Sequence, residues 1–349
     1  MIKVRHLLWL LSVVIVAYVL FSVHRPVVSS RDGMVLRIEP GTSISLLQKK
    51  LAAQNLNPLP LAFRLYTLFY WTKSLKAGEY LIPYQASLAN IWQQVIQGKG
   101  LYYRRVVIVP GMTCEQMQHL FAAQPGLTKQ AQSWQRDAEW RKALAYPDKA
   151  LEGQLMPETY TYTYGESVAA ILQQAAQLMK KFLLSAWQTR ANDLPFTDAY
   201  QALIAASIVE KEAYLATELP IIAGVLVNRL NKNMRLQFDP TIIYGLGSRY
   251  QGKLHKSDLQ LDTPYNTYLH GGLTPTPIAM PSATAINAVL HPAVHDYYYF
   301  VAKGDGSHQF SATLKQHQQA VRAAIKKSFI LPQSFLNEFY LKQIILMNL

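Results

Sequence analysis

The sequence predicts an α+β protein with a single N-terminal transmembrane helix, a small β–α module and a larger α+β domain. Three observations carry this. Leu7 to Val23 is a run without charge, with Ser12 and Ser22 as its polar interruptions. Two strand-like runs each pass through a Pro-Gly turn into a helical pattern. Beyond about residue 104, helical periodicities and short strands follow one another without regular alternation, which argues against a doubly wound sheet. The chain of 349 residues is 50% hydrophobic and 16% charged, so it has apolar surface for a large core and is not a disordered polymer. A lone Cys114 excludes a disulfide scaffold, a zinc ribbon and a cysteine-ligated cluster. The 34 basic and 21 acidic residues leave a net charge of +13, which points to an anionic partner. No basic block or nucleic-acid motif accompanies it, so no nucleic-acid partner is expected.

The first element is residues 1–25, a short tail and an anchor. Lys3, Arg5 and His6 precede the apolar run, and His24, Arg25 and Pro26 follow it. Seventeen helical residues rise about 26 Å, just under a hydrocarbon core of about 30 Å; snorkelling of Arg5 and Arg25 makes up the difference. A cleaved signal peptide, with Val27 and Ser29 near the cut, is the competing reading. As a retained anchor, the basic tail stays in the cytoplasm. The rest lies outside, in the periplasm of a Gram-negative cell, as a single-pass inner-membrane protein. Residues 24–33 read as a linker.

A module over 34–100 begins with Val35-Leu-Arg-Ile-Glu-Pro-Gly, then a helix from Ile44 with Thr42 or Ser43 as its cap. The same pattern recurs at Val106-Val-Ile-Val-Pro-Gly leading to Cys114, and more weakly at Tyr80-Leu-Ile-Pro leading to Leu88. Common descent and reuse of good turn chemistry both account for it. Gly98-Lys-Gly100 marks the boundary. The larger domain, 104–330, carries helical patterns over 168–190, 199–216, 219–231 and 282–290 and a strand over Tyr297–Ala302. Residues 331–349 form an apolar tail.

Candidate chemistry sits in three segments rich in carboxylates, amides and tyrosines: Leu151-Glu-Gly to Tyr160, Ala206-Ser-Ile-Val-Glu-Lys-Glu with Asn228-Arg-Leu and Met234-Arg-Leu-Gln-Phe-Asp-Pro-Thr, and Thr263-Pro-Tyr-Asn-Thr-Tyr. Glu210 and Glu212 point about 160° apart on one helix. Glu212 shares its direction with Ala205, Ile208 and Val209, so burial raises its pKa toward that of a general acid. A salt bridge from Glu212 to Arg229 or Arg235 is the competing reading. Gln237, Asp239, Tyr244, Asn266, Tyr265 and Tyr268 supply the planar polar groups and flat rings that sugars accept, and equally serve as turn and core residues. His291 and His295 are four apart, but Pro292 breaks the helix a metal pair would need, so no metal or other cofactor is expected. Cys114 has no cation near it in sequence and reads as a packed thiol.

At these residues the chain resembles the YceG-like endolytic murein transglycosylases. The resemblance rests on Leu151-Glu-Gly…Pro157-Glu-Thr-Tyr, Ala206 to Glu212, Asn228-Arg-Leu, Met234 to Gly245, Tyr265-Asn-Thr-Tyr, and Tyr299-Phe-Val-Ala…Gly306-Ser-His-Gln-Phe. Phe238, Thr274, Thr276 and Ser282 depart from the family's pattern. The resemblance implies a LysM-like module at 34–100, a catalytic domain at 104–330, and Glu212 as the catalytic carboxylate. It also implies peptidoglycan glycan strands as substrate, cut at MurNAc-β-1,4-GlcNAc bonds to leave 1,6-anhydro-MurNAc ends. Gln237, Asp239, Tyr244, Asn266, Tyr268 and Glu152 are then candidates for sugar contact, and peptidoglycan synthases (penicillin-binding proteins) are candidate partners. Two alternatives stay open: a hydrolase pairing Glu212 with Asp239 or Glu152, and a membrane-tethered glycan-binding scaffold.

Overall fold

The computed structural model describes residues 2–56, 59–70, 73–128, 141–213 and 215–330; the tail 331–349 lies outside them. The described chain is mixed α+β and divides into two compact units. Unit 1 takes 2–106, 122–128 and 160–168, and unit 2 takes 107–121, 141–159 and 169–330.

In unit 1, helix α1 (Ile2–His24) contains a 21-residue stretch, Val4–His24, of mean hydropathy 2.3, long and apolar enough to cross a membrane. Strand β1 (Met34–Ile38) pairs antiparallel with β2 (Gly78–Ile82), with Leu36 opposite Tyr80. Helices α2 (Ile44–Ala53) and α3 (Pro60–Leu68) lie between these strands in sequence, and α4 (Leu88–Gln97) follows. The starts of α2 and α4 are written locally. Ser43 accepts the Leu46 N–H, and Ser87 with Asn90 forms a reciprocal capping box. Gly98, at φ +71°, closes α4 in a left-handed turn. The core gathers Leu36, Ile38, Leu47, Phe63, Tyr80 and Trp92. Val19 and Val23 of α1 join it, packed beside α3. Residues 24–33, expected as a linker, are tied down: Val27 and Val28 donate to the Ala86 carbonyl at 2.9 and 3.3 Å. The buried Glu79 carboxylate holds Arg37 at 2.9 Å and Arg104 at 2.7 Å, so its charge is compensated on both oxygens.

Strand β3 (Arg104–Val107) precedes α5 (Cys114–Ala122) and pairs with β4 (Thr159–Tyr162). The two Pro-Gly turns adopt one geometry, with Gly41 at φ +78° and Gly111 at φ +79°.

In unit 2, α6 (Val168–Gln188) is followed by α7 (Ala199–Glu212), which is buried along most of its length and packs on α8 (Leu219–Asn231) and α11 (Ala283–Leu290). Asp198 caps α7 by accepting the Gln201 N–H at 2.9 Å. Pro220 opens α8 within its first turn, and Ser282 caps α11. Between them lie the short helices α9 (Asp239–Leu246) and α10 (Lys256–Leu259). A hairpin of β5 (Tyr299–Ala302) and β6 (His308–Ser311) follows, covered by α12 (Leu314–Ile330) through Val301 and Val321.

Helix α7 stops at Glu212, short of the expected 216. Ala213 turns extended (φ −82°, ψ 122°), and Ala216–Glu218 forms a separate 3-10 turn before α8.

Candidate active site

The termination of α7 decides what Glu212 can be. Its neighbours Ala205, Ile208 and Val209 are buried in the core, so the helix is fixed and its last side chain emerges into a narrow recess of unit 2. Glu212, Arg229, Gln237, Asp239, Phe300 and His308 are among the residues that line it. The recess encloses about 30 Å³, enough for one or two waters and no sugar ring.

Burial and then the nearby Asp239 charge push the Glu212 pKa well above the usual carboxylate range; Arg229 pulls it back. The helix end acts in the same direction as burial, because the C-terminal pole of α7 carries partial negative charge. Among the described residues Glu212 forms no ion pair with Arg229 or Arg235. Arg229 donates instead to the carbonyls of Tyr298 (2.6 Å), Arg235 (3.0 Å) and Leu236 (2.6 Å), and to Gln237 Oε1 (3.3 Å). Its charge reaches Glu212 as a field rather than as a bond.

Glu210, two residues earlier, faces elsewhere. Its Oε2 accepts from Ser282 N–H at 2.8 Å and from the Ser282 hydroxyl at 2.6 Å. The two carboxylates are thus divided between packing and the recess, as the helix angle requires.

Of the remaining candidates, Gln237 and Asp239 line the recess and Tyr268 reaches it through Asp239. Gln237 sits at φ +55°, a costly left-handed backbone for a non-glycine residue, held by its N–H to Thr267 O at 3.2 Å. The Tyr268 hydroxyl donates to Asp239 Oδ1 at 2.7 Å. Burial and that anion push the phenol well above its ordinary pKa, so it stays a donor. Asn266 does not line the recess. Its amide donates to Leu259 O (3.0 Å) and Leu261 O (2.8 Å), and its Oδ1 accepts the Tyr268 N–H at 2.9 Å. It fixes the loop that carries Tyr268. Glu152 and Tyr244 form a second cluster outside the recess lining. Both Glu152 oxygens accept the Cys114 N–H at 3.1 Å, and the Tyr244 hydroxyl donates to Oε2 at 3.2 Å. Burial raises Glu152 to about 7 despite those donors. The Cys114 thiol is likewise pushed up, first by burial and then by Glu152.

The model of the YceG-like family matches residues 36–323. The chain belongs to the YceG-like family. An endolytic murein transglycosylase of Bacillus subtilis is 28% identical over 314 residues, covering 83% of this chain and 84% of that protein. One from Streptococcus pneumoniae is 34% identical over 157 residues, covering 44% of this chain and 28% of that larger protein. A crystal structure of a YceG-like protein from Listeria monocytogenes aligns with TM-score 0.55 at 29% identity, covering 83% of this chain and 99% of that one.

In this YceG-like chain, two positions read from the sequence as departures from the family pattern have clear local uses. Phe238 is buried with its ring 5.7 Å from Phe300, and Ser282 both caps α11 and binds Glu210. Sequence reasoning missed one buried pair. His308 lines the recess, its Nδ1 lies 2.6 Å from Glu218 Oε2, and its backbone N–H donates to Glu218 Oε1 at 2.9 Å. The carboxylate contact at Nδ1 fixes the orientation of the His308 ring. His308 stood inside the quoted Gly306-Ser-His-Gln-Phe run, which was the available signal. His295, a metal candidate in sequence, has Nε2 2.9 Å from the Ile221 carbonyl.

Proposed function

We propose that this protein is an endolytic peptidoglycan lytic transglycosylase that uses Glu212 as general acid and then as base. The observation that carries the reading is a carboxyl group at a helix C-terminus, buried beside Asp239, with its pKa driven up. Such a group keeps its proton to higher pH than a solvated carboxyl group, which favours the donor that cleavage needs. Glu212 protonates the GlcNAc O4 as the C1–O4 bond breaks. The resulting carboxylate takes the proton from the MurNAc C6 hydroxyl as O6 bonds to C1. No water enters, and the product is a 1,6-anhydro-MurNAc end. The nucleophile belongs to the substrate, so the site must only orient it.

Gln237, Asp239 and Tyr268 orient the sugar at the mouth. Asn266 supports Tyr268, and the Glu152–Tyr244 pair supports the α5 start. The proximity of Asp239 to Glu212 also favours a second reading, a hydrolase with two carboxylates. Product analysis separates the two. Sacculi digested by wild type should release anhydro ends, and Glu212→Gln should release none. Ordinary reducing ends from the wild type would overturn the transglycosylase reading in favour of hydrolysis.

The same proposal places α1 in the inner membrane with the N-terminus cytoplasmic and both units in the periplasm. Burial of Val23 and Val28 in the unit 1 core supports a retained anchor, because cleavage near Ser29 would strip that core. The organisation into anchor, LysM-like module at 34–100 and catalytic domain at 104–330 belongs to this reading, as do neighbouring penicillin-binding proteins as partners.

A further inference from the structure

We propose that the outward face of α3 lies in the membrane–water interface and contacts lipid, so that unit 1 is seated on the bilayer as well as tethered to it. This rests on the proposed reading of α1 as a membrane span.

Helix α3 has two apolar faces. Ala62, Phe63, Tyr66 and Thr67 are buried in the unit 1 core. On the other side Leu61, Leu68 and Phe69 are 71, 58 and 81% exposed. At 100° per residue Leu61, Leu65 and Leu68 fall within about 60° of one another, with Phe69 at the edge. An apolar stripe of this kind beside a polar surface marks a contact site.

The geometry of α1 says what covers it. Val19 and Val23, in the last turns of α1, belong to the same core as Phe63 and Tyr66, and the His24 and Tyr66 rings meet edge-on at 6.3 Å. So α3 runs beside the end of α1. If the bilayer stopped short of that contact, only Leu7–Tyr18 would be left as the apolar span, about 18 Å against a hydrocarbon core of about 30 Å. The hydrocarbon boundary must therefore reach the turn where Val19 and Val23 pack, and α3 lies at that depth. Leu20 and Phe21 are exposed at the same level. Charge agrees. Arg25, Arg31, Arg64 and Lys73 are exposed nearby in sequence, and no acidic residue occurs between Glu39 and Glu79. An apolar stripe with a cationic margin suits anionic headgroups over acyl chains.

The test uses the full chain with Cys114→Ser and single cysteines at Val14, Leu68, Phe69 or Val294, each labelled with a polarity-sensitive fluorophore. The chains are reconstituted into vesicles of phosphatidylethanolamine and phosphatidylglycerol containing nitroxide lipid. Quenching at 68 and 69 should be several-fold above the fully exposed reference at 294, strongest with a shallow nitroxide, while 14 responds to a deep one. Quenching at 14 without quenching at 68 and 69 refutes the α3 contact and leaves the anchor standing. No quenching at 14 refutes the anchor and this inference with it. Cross-linking between copies at 69 without lipid quenching assigns the face to a second copy and overturns the proposal.

Discussion

Substituting Glu152 isolates a pH-dependent part of the stability of unit 2. The residue is 6% exposed, its pKa sits near 7 rather than 4.5, and burial is the cause. The shift of about 2.5 units corresponds to about 3.4 kcal/mol, and burial leaves little solvent screening to discount. The sign follows from proton counts. Between pH 4.5 and 7 the folded protein keeps the Glu152 proton while the unfolded chain has released it. The stabilisation is therefore complete below about 4.5 and lost as pH rises to about 7. Cys114 is the chain's single cysteine, and its N–H is the Glu152 partner, so its labelling by a thiol reagent reports opening at that spot. After correction for thiolate fraction, protection in the wild type should fall by a factor of about 70 between pH 5 and pH 8. In Glu152→Gln most of that slope should vanish. Other raised groups in unit 2, Glu212 above all, titrate in both proteins and cancel in the difference. Equal slopes in wild type and variant would refute the assignment of the buried proton to Glu152.

Asp239→Asn removes the negative charge that helps hold the Glu212 proton. The alkaline limb of kcat/KM should move to lower pH, and an upward move would contradict the coupling. Glu218→Gln leaves the buried His308 with a weaker partner and should cost about 2 kcal/mol or more. A lower Tm together with reduced activity on sacculi is the expected result, and an unchanged Tm would count against a stabilising role for the buried Glu218–His308 hydrogen bond. Gly153→Ala puts a Cβ at φ +81° and 2.4 Å from Pro277 Cβ. The combined strain and overlap should lower stability by at least about 2 kcal/mol in urea unfolding.

The parts of this fold that were legible in sequence are those whose causes are local. Helices α6, α7, α8 and α11 announce themselves by apolar periodicity. The end of α7 was not legible. The stretch Ala213-Tyr-Leu-Ala has no local breaker. Helix α9 opens on Asp239-Pro240, which also reads as a turn, and the short α3 and the polar α12 carry weak periodic signals. The site divides along the same line. The opposed directions of Glu210 and Glu212 follow from helix geometry alone. The Glu218–His308 pair joins positions 90 apart, which no periodicity can reveal. The roles of Asn266 and Arg229 as carbonyl binders depend on loops that only tertiary structure brings together.

In the proposed mechanism one carboxylate, Glu212, does both halves of a proton relay. Three influences favour its protonated form: burial, the Asp239 charge and the C-terminal pole of α7. Their sum keeps the proton on Glu212 to higher pH than on a solvated carboxyl group, so that a proton donor is populated, and by the same token its anion is a stronger base than a solvated carboxylate. Arg229 opposes them, yet its donors are engaged by backbone carbonyls and Gln237, so it does not lock the anion in a salt bridge. A bonded Arg229–Glu212 pair would lower that pKa, leaving little of the protonated donor and a weaker base. The architecture that denies Arg229 this contact, with Tyr298, Arg235 and Leu236 supplying the acceptors, keeps Glu212 out of a salt bridge, as the proposed exchange of its proton requires.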